Sequence, residues 1–272
     1  MVDDVQIRNA PPALSFHCPT LLSLFPSRLY CASREMGQDN SECEVIQVKR
    51  RATFRLCNVS SYTTEILEIR ADDPTLHVVV IPGNPAVGHI SQTKKSWEHG
   101  RLFSLQEQIN HKMDVIKQEL QNNEVPILLV GHSIGSYISV EMFKRSPEKV
   151  PYSMCCLQLY CCARGFVAYP TVEYHTMRNV LFMAMTEFRK LSETPDWAFM
   201  RENQHKIAFL FGIDDHWGPL QMFEEISKQI PDAALSIERE DLTDHGFCCT
   251  EAGSLWVAEH VAKLIKNKKA SQ

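Results

Sequence analysis

The stretch Gly131-His132-Ser133-Ile134-Gly135 follows an apolar run at residues 125–130 and precedes a helix-like segment at residues 136–145. A buried strand that turns sharply into a helix at a serine is typical of a nucleophile elbow. The flanking glycines suit such a turn because its backbone approaches neighbouring elements closely, where a Cβ atom would clash. An ordinary glycine-rich turn can carry the same five letters, but the strand before them and the helix after them favour the elbow. The pattern predicts that Ser133 is a nucleophile.

A serine nucleophile needs a base to take its proton and a carboxylate to orient that base. When the serine stands on such an elbow, the acid and then the histidine follow it along the chain. A predicted strand at 206–211 runs into a loop with Asp214 and Asp215, and a second at 234–237 leads to His245, just before the last helix. Both aspartates are acid candidates, and the order and loop positions fit a triad.

Each of these partners also has a plain structural explanation. Aspartates after a strand often form turns or helix caps, and a lone histidine usually lies on the surface. Their joint appearance, in order and at the ends of predicted strands, favours the triad. We prefer His245 as the base because His216 shares the loop of the acid, and because we expect His260, inside the last helix, to lie on that helix's surface.

An oxyanion hole needs the N–H of Ile134, directly after the serine, and a second N–H on the loop after an earlier strand. The predicted strand at 77–81 is followed by Pro82-Gly83-Asn84-Pro85. Gly83 lets the backbone approach the reacting centre, and Asn84 is the preferred donor because proline has no N–H. A simple Pro/Gly turn would have the same local sequence.

Four motifs together resemble the lipid droplet-associated hydrolases, most closely their plant members: Pro82-Gly83-Asn84-Pro85, Gly131-His132-Ser133-Ile134-Gly135-Ser136-Tyr137, Asp215 with Trp217, and His245. The resemblance runs from about Arg51 to Lys269. It implies an α/β-hydrolase fold, with a mostly parallel sheet flanked by helices, and action on neutral lipids or sterol esters. In the family pattern the acid precedes the tryptophan by two residues, so the resemblance prefers Asp215 over Asp214.

The chain is shorter than this resemblance predicts in two places. Asn84 and Ser133 are 49 positions apart (133 − 84), which is short for two helices and one strand before the elbow strand. A second gap follows the strand predicted near 155–160, where family members carry a long hydrophobic cap. We therefore expect one helix, one strand and most of the cap to be missing. A missing central strand would expose backbone donors and acceptors.

The composition of the 272 residues, 44% hydrophobic and 22% charged, predicts a globular chain with one sizeable core. A net charge of −5 gives no basic surface for nucleic acid, so we expect no nucleic-acid partner. The ten cysteines show neither C-x-x-C nor zinc-ligand spacing, which predicts reduced thiols and no metal site. The sequence contains no continuous run of 18 apolar residues, so we expect no transmembrane helix.

We expect residues 1–50 to form a disordered extension and residues 51–269 to form the α/β-hydrolase domain. The extension is rich in proline, serine and arginine and ends in a polar, acidic stretch. Its serine and arginine content allows a plastid-type transit peptide, but early aspartates argue against one, and Met36 is an alternative start.

Within the domain, patterning predicts four further elements. Strands at 53–56 and 63–69 are expected to form an antiparallel hairpin at the sheet edge. A helix that ends near Leu120 follows a capping-box pair, Ser104 and Glu107. We also predict a methionine-rich helix at 177–191, which packs in the core or lines a lipid site. A last helix is predicted at 251–266.

The sequence thus predicts a carboxylic ester hydrolase in which Ser133 attacks the acyl carbon, His245 moves the proton and Asp215 orients His245. The N–H groups of Ile134 and Asn84 would bind the oxyanion, and this route needs no metal or cofactor. The resemblance implies a lipid ester substrate and the lipid droplet surface, with the endoplasmic reticulum or cytosol as other locations. Two alternatives remain open: a catalytically impaired droplet protein, and an acyltransferase or thioesterase with the same triad.

Overall fold

The computed structural model describes residues 14–18, 52–83, 101–120, 124–150, 152–156, 174–213, 215, 218–238, 247 and 250–270. Within these ranges the strands are β1 (Leu14–Cys18), β2 (Thr53–Val59), β3 (Tyr62–Ile69), β4 (Leu76–Ile81), β5 (Ile127–His132), β6 (Tyr152–Cys156), β7 (Ile207–Gly212) and β8 (Ala234–Glu238). The helices are α1 (Leu105–Leu120), α2 (Ile134–Arg145), α3 (Tyr174–Leu191), α4 (Trp197–Glu202), α5 (Leu220–Gln229) and α6 (Glu251–Ala270). The eight strands form one sheet in the order β2-β3-β1-β4-β5-β6-β7-β8.

Strands β4 to β8 run parallel and form the part of the sheet that carries the candidate site. All six residues of β7 and the first five of β5 are buried. Such continuous apolar strands are typical of a parallel sheet that is covered on both faces. Five of the seven pairings between the described strands are parallel, which confirms the predicted mostly parallel sheet.

Helices cover both faces of this sheet. On one face, apolar residues of α1, α2 and α5, such as Ile109, Ile138 and Ile226, share a core with β4, β5 and β7. On the other face, α6 packs Val257 and Val261 against a second core from the same strands. The alternation of side chains along a strand explains why neighbouring strand residues join different cores.

The predicted hairpin and capping box are both confirmed. Strands β2 and β3 pair antiparallel at the edge of the sheet. The two residues between them, Ser60 and Ser61, have φ values of 51° and 70°, as a tight type I′ turn requires. At the start of α1, the backbone N–H of Ser104 donates to Glu107 at 2.8 Å, and the N–H of Glu107 donates to the Ser104 hydroxyl at 3.3 Å. The bond from the Ser104 backbone lowers the pKa of Glu107.

One part of the N-terminal extension differs from the expectation of disorder. Leu14–Cys18 forms β1, which pairs antiparallel with β3 and parallel with β4. The place between β3 and β4 is therefore occupied by a strand from the extension. Leucine, phenylalanine and cysteine alternate here with serine and histidine, which is the period of a strand. The boundary at residue 50 stays a prediction.

The region of the expected cap lies mostly outside the described residues. The strand predicted near residues 155–160 is found earlier, at Tyr152–Cys156, and residues 157–173 are not described. The methionine-rich helix is confirmed and begins at Tyr174. In the part of the chain that the structure describes, no helix is long and apolar enough to cross a membrane.

Candidate active site

Ser133 lies between the end of β5 and the first turn of α2, as the elbow prediction requires. Its backbone has φ 58° and ψ −134°, a conformation that a residue with a side chain rarely adopts, and the residue is buried. Strain of this kind costs about 1–3 kcal/mol and persists only where the surrounding structure imposes it. A strained serine at a strand-to-helix turn is the geometry of a nucleophile elbow.

The two glycines around Ser133 are needed for close backbone packing. A Cβ atom on Gly131 would lie 2.4 Å from the carbonyl oxygen of Gly135. A Cβ atom on Gly135 would lie 2.1 Å from the carbonyl oxygen of Ile81, at the end of β4. Both distances are far below a van der Waals contact, so only glycine fits at either position.

The loop after β4 lies directly against the nucleophile. A Cβ atom on Gly83 would lie 2.7 Å from the Cβ atom and 3.2 Å from the hydroxyl oxygen of Ser133. The predicted role of Gly83, a close backbone approach to the reacting centre, is consistent with this contact. Asn84, the predicted second oxyanion donor, lies outside the described residues.

Ile134, the predicted first oxyanion donor, begins α2 and is fully buried. Backbone N–H groups in the first turn of a helix have no intrahelical acceptor, and the helix dipole favours negative charge there. The backbone carbonyl of Ser133 accepts from the N–H of Ser136 at 2.8 Å, and the Ser136 hydroxyl donates to Gly131 at 2.9 Å. These bonds hold the elbow to the helix.

Asp215 lies just after β7 and is buried. Its Oδ1 atom accepts a hydrogen bond from the backbone N–H of Gly218 at 3.1 Å. Strands β5 and β7 flank β6, so they run about 10 Å apart, and parallel strands end at the same edge of a sheet. Ser133 and Asp215 therefore lie at one edge, whereas Asp214 is outside the described residues.

The predicted base, His245, also lies outside the described residues, but Phe247 is described two positions later. The Phe247 ring packs edge to face on His132, with the ring centroids 4.7 Å apart. The carbonyl of Phe247 accepts from the N–H of Thr250 at 3.2 Å and from the Ser254 hydroxyl at 3.3 Å. The chain after β8 thus returns to the elbow at Phe247, a contact that the sequence analysis missed.

The structure describes one of the two other histidines that were weighed as bases. His216 lies outside the described residues. His260 lies in α6, half-buried rather than on the helix surface, so that expectation was wrong. Its ring stacks on Trp256 at 5.1 Å, and burial lowers its pKa. Across the described ranges, no cluster of three or more histidine, cysteine or acidic residues could hold a metal ion.

A family model for the lipid-droplet associated hydrolases matches residues 73–173 and 163–248. The lipid droplet-associated hydrolase of Gallus gallus is 22% identical, over 60% of this chain and 68% of the relative. That of Dictyostelium discoideum is also 22% identical, over 62% of this chain and 81% of the relative.

The fold is shared with solved structures of much lower sequence identity. The peroxisomal α/β-hydrolase of Saccharomyces cerevisiae superposes with a TM-score of 0.57 at 11% identity, and the match covers 82% of this chain and 90% of the yeast protein. On the fold and on a family match that spans most of its length, the chain belongs to the lipid droplet-associated hydrolase family, within the α/β-hydrolases.

Proposed function

We propose that the chain hydrolyses carboxylic esters of lipids with a triad of Ser133, His245 and Asp215. One observation carries the proposal: Ser133 is held in a strained, buried elbow beside Gly83, and strain of this kind is concentrated at active sites. The buried carboxylate of Asp215 at the same sheet edge supports it.

Phe247 supports His245 as the base. Consecutive Cα atoms are 3.8 Å apart, so residue 245 has its Cα within about 7.6 Å of that of Phe247. Phe247 packs on His132, the neighbour of Ser133. This contact, close along the chain to the predicted base, supports the proposal that His245 serves Ser133.

The proposed reaction uses these residues in two steps. The hydroxyl oxygen of Ser133 attacks the acyl carbon while His245 takes its proton, and the backbone N–H groups of Ile134 and Asn84 hold the oxyanion. His245 then protonates the leaving alcohol, which leaves an acyl group on Ser133. Water, deprotonated by the same histidine, attacks the acyl group and releases the acid. Asp215 fixes the tautomer of His245 and stabilises its charge in both steps.

Hydrolysis of emulsified triacylglycerol and sterol ester by the full chain tests this function. We expect Ser133→Ala to lower the rate at least about 10³-fold, because nothing else supplies the nucleophile. Ser139→Ala is the matched control: it removes a buried hydroxyl in α2, six residues after Ser133 (139 − 133), which donates to the carbonyl of Gly135 at 2.7 Å. Wild-type rates in the Ser133 variant would contradict the proposal. Faster transfer of the acyl group to an added alcohol would favour the acyltransferase alternative, and faster cleavage of a thioester would favour the thioesterase alternative.

We propose that α3 contacts the lipid surface. Leu181, Met185 and Phe188 are 62%, 49% and 46% exposed, and their spacing of four and three residues places them on one helix face. Other residues of α3 hold it to the start of α1. The side chain of Asn179 accepts from the N–H of Phe103 at 2.8 Å, and that of Thr186 accepts from the N–H of Leu105 at 3.0 Å. A neutral-lipid surface is the occupant that the family membership suggests.

Replacing Leu181, Met185 and Phe188 together by serine should lower partitioning onto phospholipid-coated triolein droplets at least about ten-fold, because apolar area no longer enters the lipid. Phe54→Ser with Leu56→Ser is the control, since these side chains are equally exposed on β2. Flotation of the purified chain with the droplets measures both. Equal partitioning of the two variants would show that α3 is not the lipid contact.

A further inference from the structure

We infer that the outer edge of β2 is an interaction surface, and that its partner is a second copy of this chain, paired antiparallel with it across a two-fold axis. Among the described strands β2 is the outermost, and it pairs with β3 alone. The strand at the opposite edge of the sheet, β8, has no exposed residue. On β2, by contrast, Phe54 and Leu56 are 45% and 61% exposed. The open edge of the sheet is therefore β2.

Strand β2 carries none of the features that usually protect an edge strand, which are proline, lysine, a bulge or a very short length. Its seven residues include neither proline nor lysine, and its register with β3 runs unbroken from Thr53 to Val59. Its one charged side chain, Arg55, is paired within the chain, with Glu68 and Glu119. An unprotected apolar edge of this length is typical of a strand that pairs with another chain.

The hairpin geometry determines which backbone groups of β2 point outwards. In an antiparallel pair, residues that bond to the neighbouring strand alternate with residues whose N–H and carbonyl groups point away from it. The residue pair that flanks the two-residue turn is of the bonded kind, so the backbone groups of residues 54, 56 and 58 point away from β3. The side chain of Gln118 donates to the carbonyl of Asn58 at 3.1 Å, which agrees with this direction. The outward groups of Phe54 and Leu56 are then the ones that can bind a second strand.

These outward groups match those of a second copy in one register. If the two-fold axis passes through Arg55, Phe54 lies opposite Leu56 of the second copy, and Leu56 lies opposite its Phe54. Each of these two pairs exchanges both of its N–H···O bonds, and apolar side chains lie across from apolar side chains. An axis through Leu56 would instead place Phe54 opposite Asn58, whose carbonyl is already bound to Gln118. The strand is thus complementary to itself, which favours a second copy over an unrelated chain.

The charges at the axis are balanced, and the interface is small. Arg55 lies beside its own copy there, but each guanidinium is paired with Glu68 at 3.2 Å and with Glu119 at 2.5 Å. Stable dimers bury about 1,200–2,000 Å² in total, which is more than two short strand segments provide. We therefore expect a weak dimer, with a Kd on the order of 10–100 µM.

Sedimentation velocity of the full chain from about 1 to 300 µM tests the inference, because this range spans the expected Kd. Leu56→Pro should weaken the dimer at least ten-fold, since proline removes an outward N–H but no bond to β3. Leu56→Val is the matched control, because it keeps both the N–H and an apolar side chain. Hydrogen exchange at β3 shows whether each variant keeps the hairpin. A wild-type chain that stays monomeric throughout, or a folded proline variant that dimerises as well as the valine variant, would overturn the inference.

A cross-link tests the register without proline. An axis through Arg55 places Thr53 opposite Cys57 of the second copy, in the closely spaced kind of pair, with the Cα atoms about 4.5 Å apart. This separation allows a disulfide, whereas residues 53 and 57 of one extended strand are about 13 Å apart. Thr53→Cys should therefore form a covalent dimer with oxidised glutathione, joined through Cys57 of the second copy, and Thr53→Ser should not. Failure of a folded Thr53→Cys chain to form this disulfide would refute the pairing.

The droplet experiment separates a second copy from lipid as the occupant of this edge. Flotation at concentrations far below the expected Kd measures the monomer, so the variant with Phe54→Ser and Leu56→Ser remains a control for α3. If that variant left the droplets while the wild-type chain stayed monomeric in solution, lipid would be the occupant and the inference would fall. None of these readouts depends on catalysis, so their failure would leave the proposed ester hydrolysis untouched.

Discussion

Gly135→Ala is expected to lower the free energy of unfolding by at least about 3 kcal/mol, or to prevent folding. Its Cβ atom would lie 2.1 Å from the Ile81 carbonyl oxygen and 2.7 Å from that of Pro82. Both contacts are with backbone, so no side chain can turn away to relieve them. The β4 backbone cannot retreat easily either, because Ile81 is in register with Gly131 of β5.

Urea denaturation followed by circular dichroism measures this effect. Ser139→Ala, in the same helix, should cost only about 1 kcal/mol because it removes one hydrogen bond. A Gly135→Ala chain as stable as the Ser139→Ala chain would mean that the strand and helix do not meet as described. The tight elbow would then not explain the position of Ser133.

Asp215→Asn is expected to lower kcat/KM for ester hydrolysis about 10³- to 10⁴-fold, with little change in KM. An amide in place of the carboxylate can neither hold the productive tautomer of the histidine nor stabilise its positive charge. The substitution is nearly isosteric and keeps the oxygen that accepts from Gly218. We therefore expect the fold to be retained.

Asp214→Asn is the matched control, because both aspartates are acid candidates on local sequence. Steady-state kinetics should show that this variant stays within a few-fold of wild type. A large loss in the Asp214 variant with a small loss in the Asp215 variant would exchange their assignments. Equal, small losses in both would argue against an acid on this loop.

The elbow could be predicted from sequence because its constraints are local. Two glycines around a serine, with an apolar strand before and a helix after, leave few other structures for Ser133. The capping box of α1 and the hairpin of β2 and β3 were predictable for the same reason. Asn84 and His245 stay predictions, since they lie outside the described residues.

The features that the sequence did not reveal depend on distant contacts. β1 is a strand because it pairs with β3 on one side and with β4 on the other, and five alternating residues in a polar extension carry little signal alone. The packing of Phe247 on His132 joins residues 115 positions apart (247 − 132) and arises only when β8 lies at the sheet edge. His260 is a different case, because the stacking of its half-buried ring on Trp256 is a local contact within α6.

Treatment of the folded full chain with a fluorophosphonate tests whether Ser133 is an activated nucleophile. Mass spectrometry then locates the adduct. We expect one adduct per chain, on Ser133, which is lost in Ser133→Ala and retained in Ser139→Ala. Circular dichroism and size-exclusion chromatography would establish that each variant is folded. A folded chain that stays unlabelled, or that is labelled on another serine, would contradict this expectation.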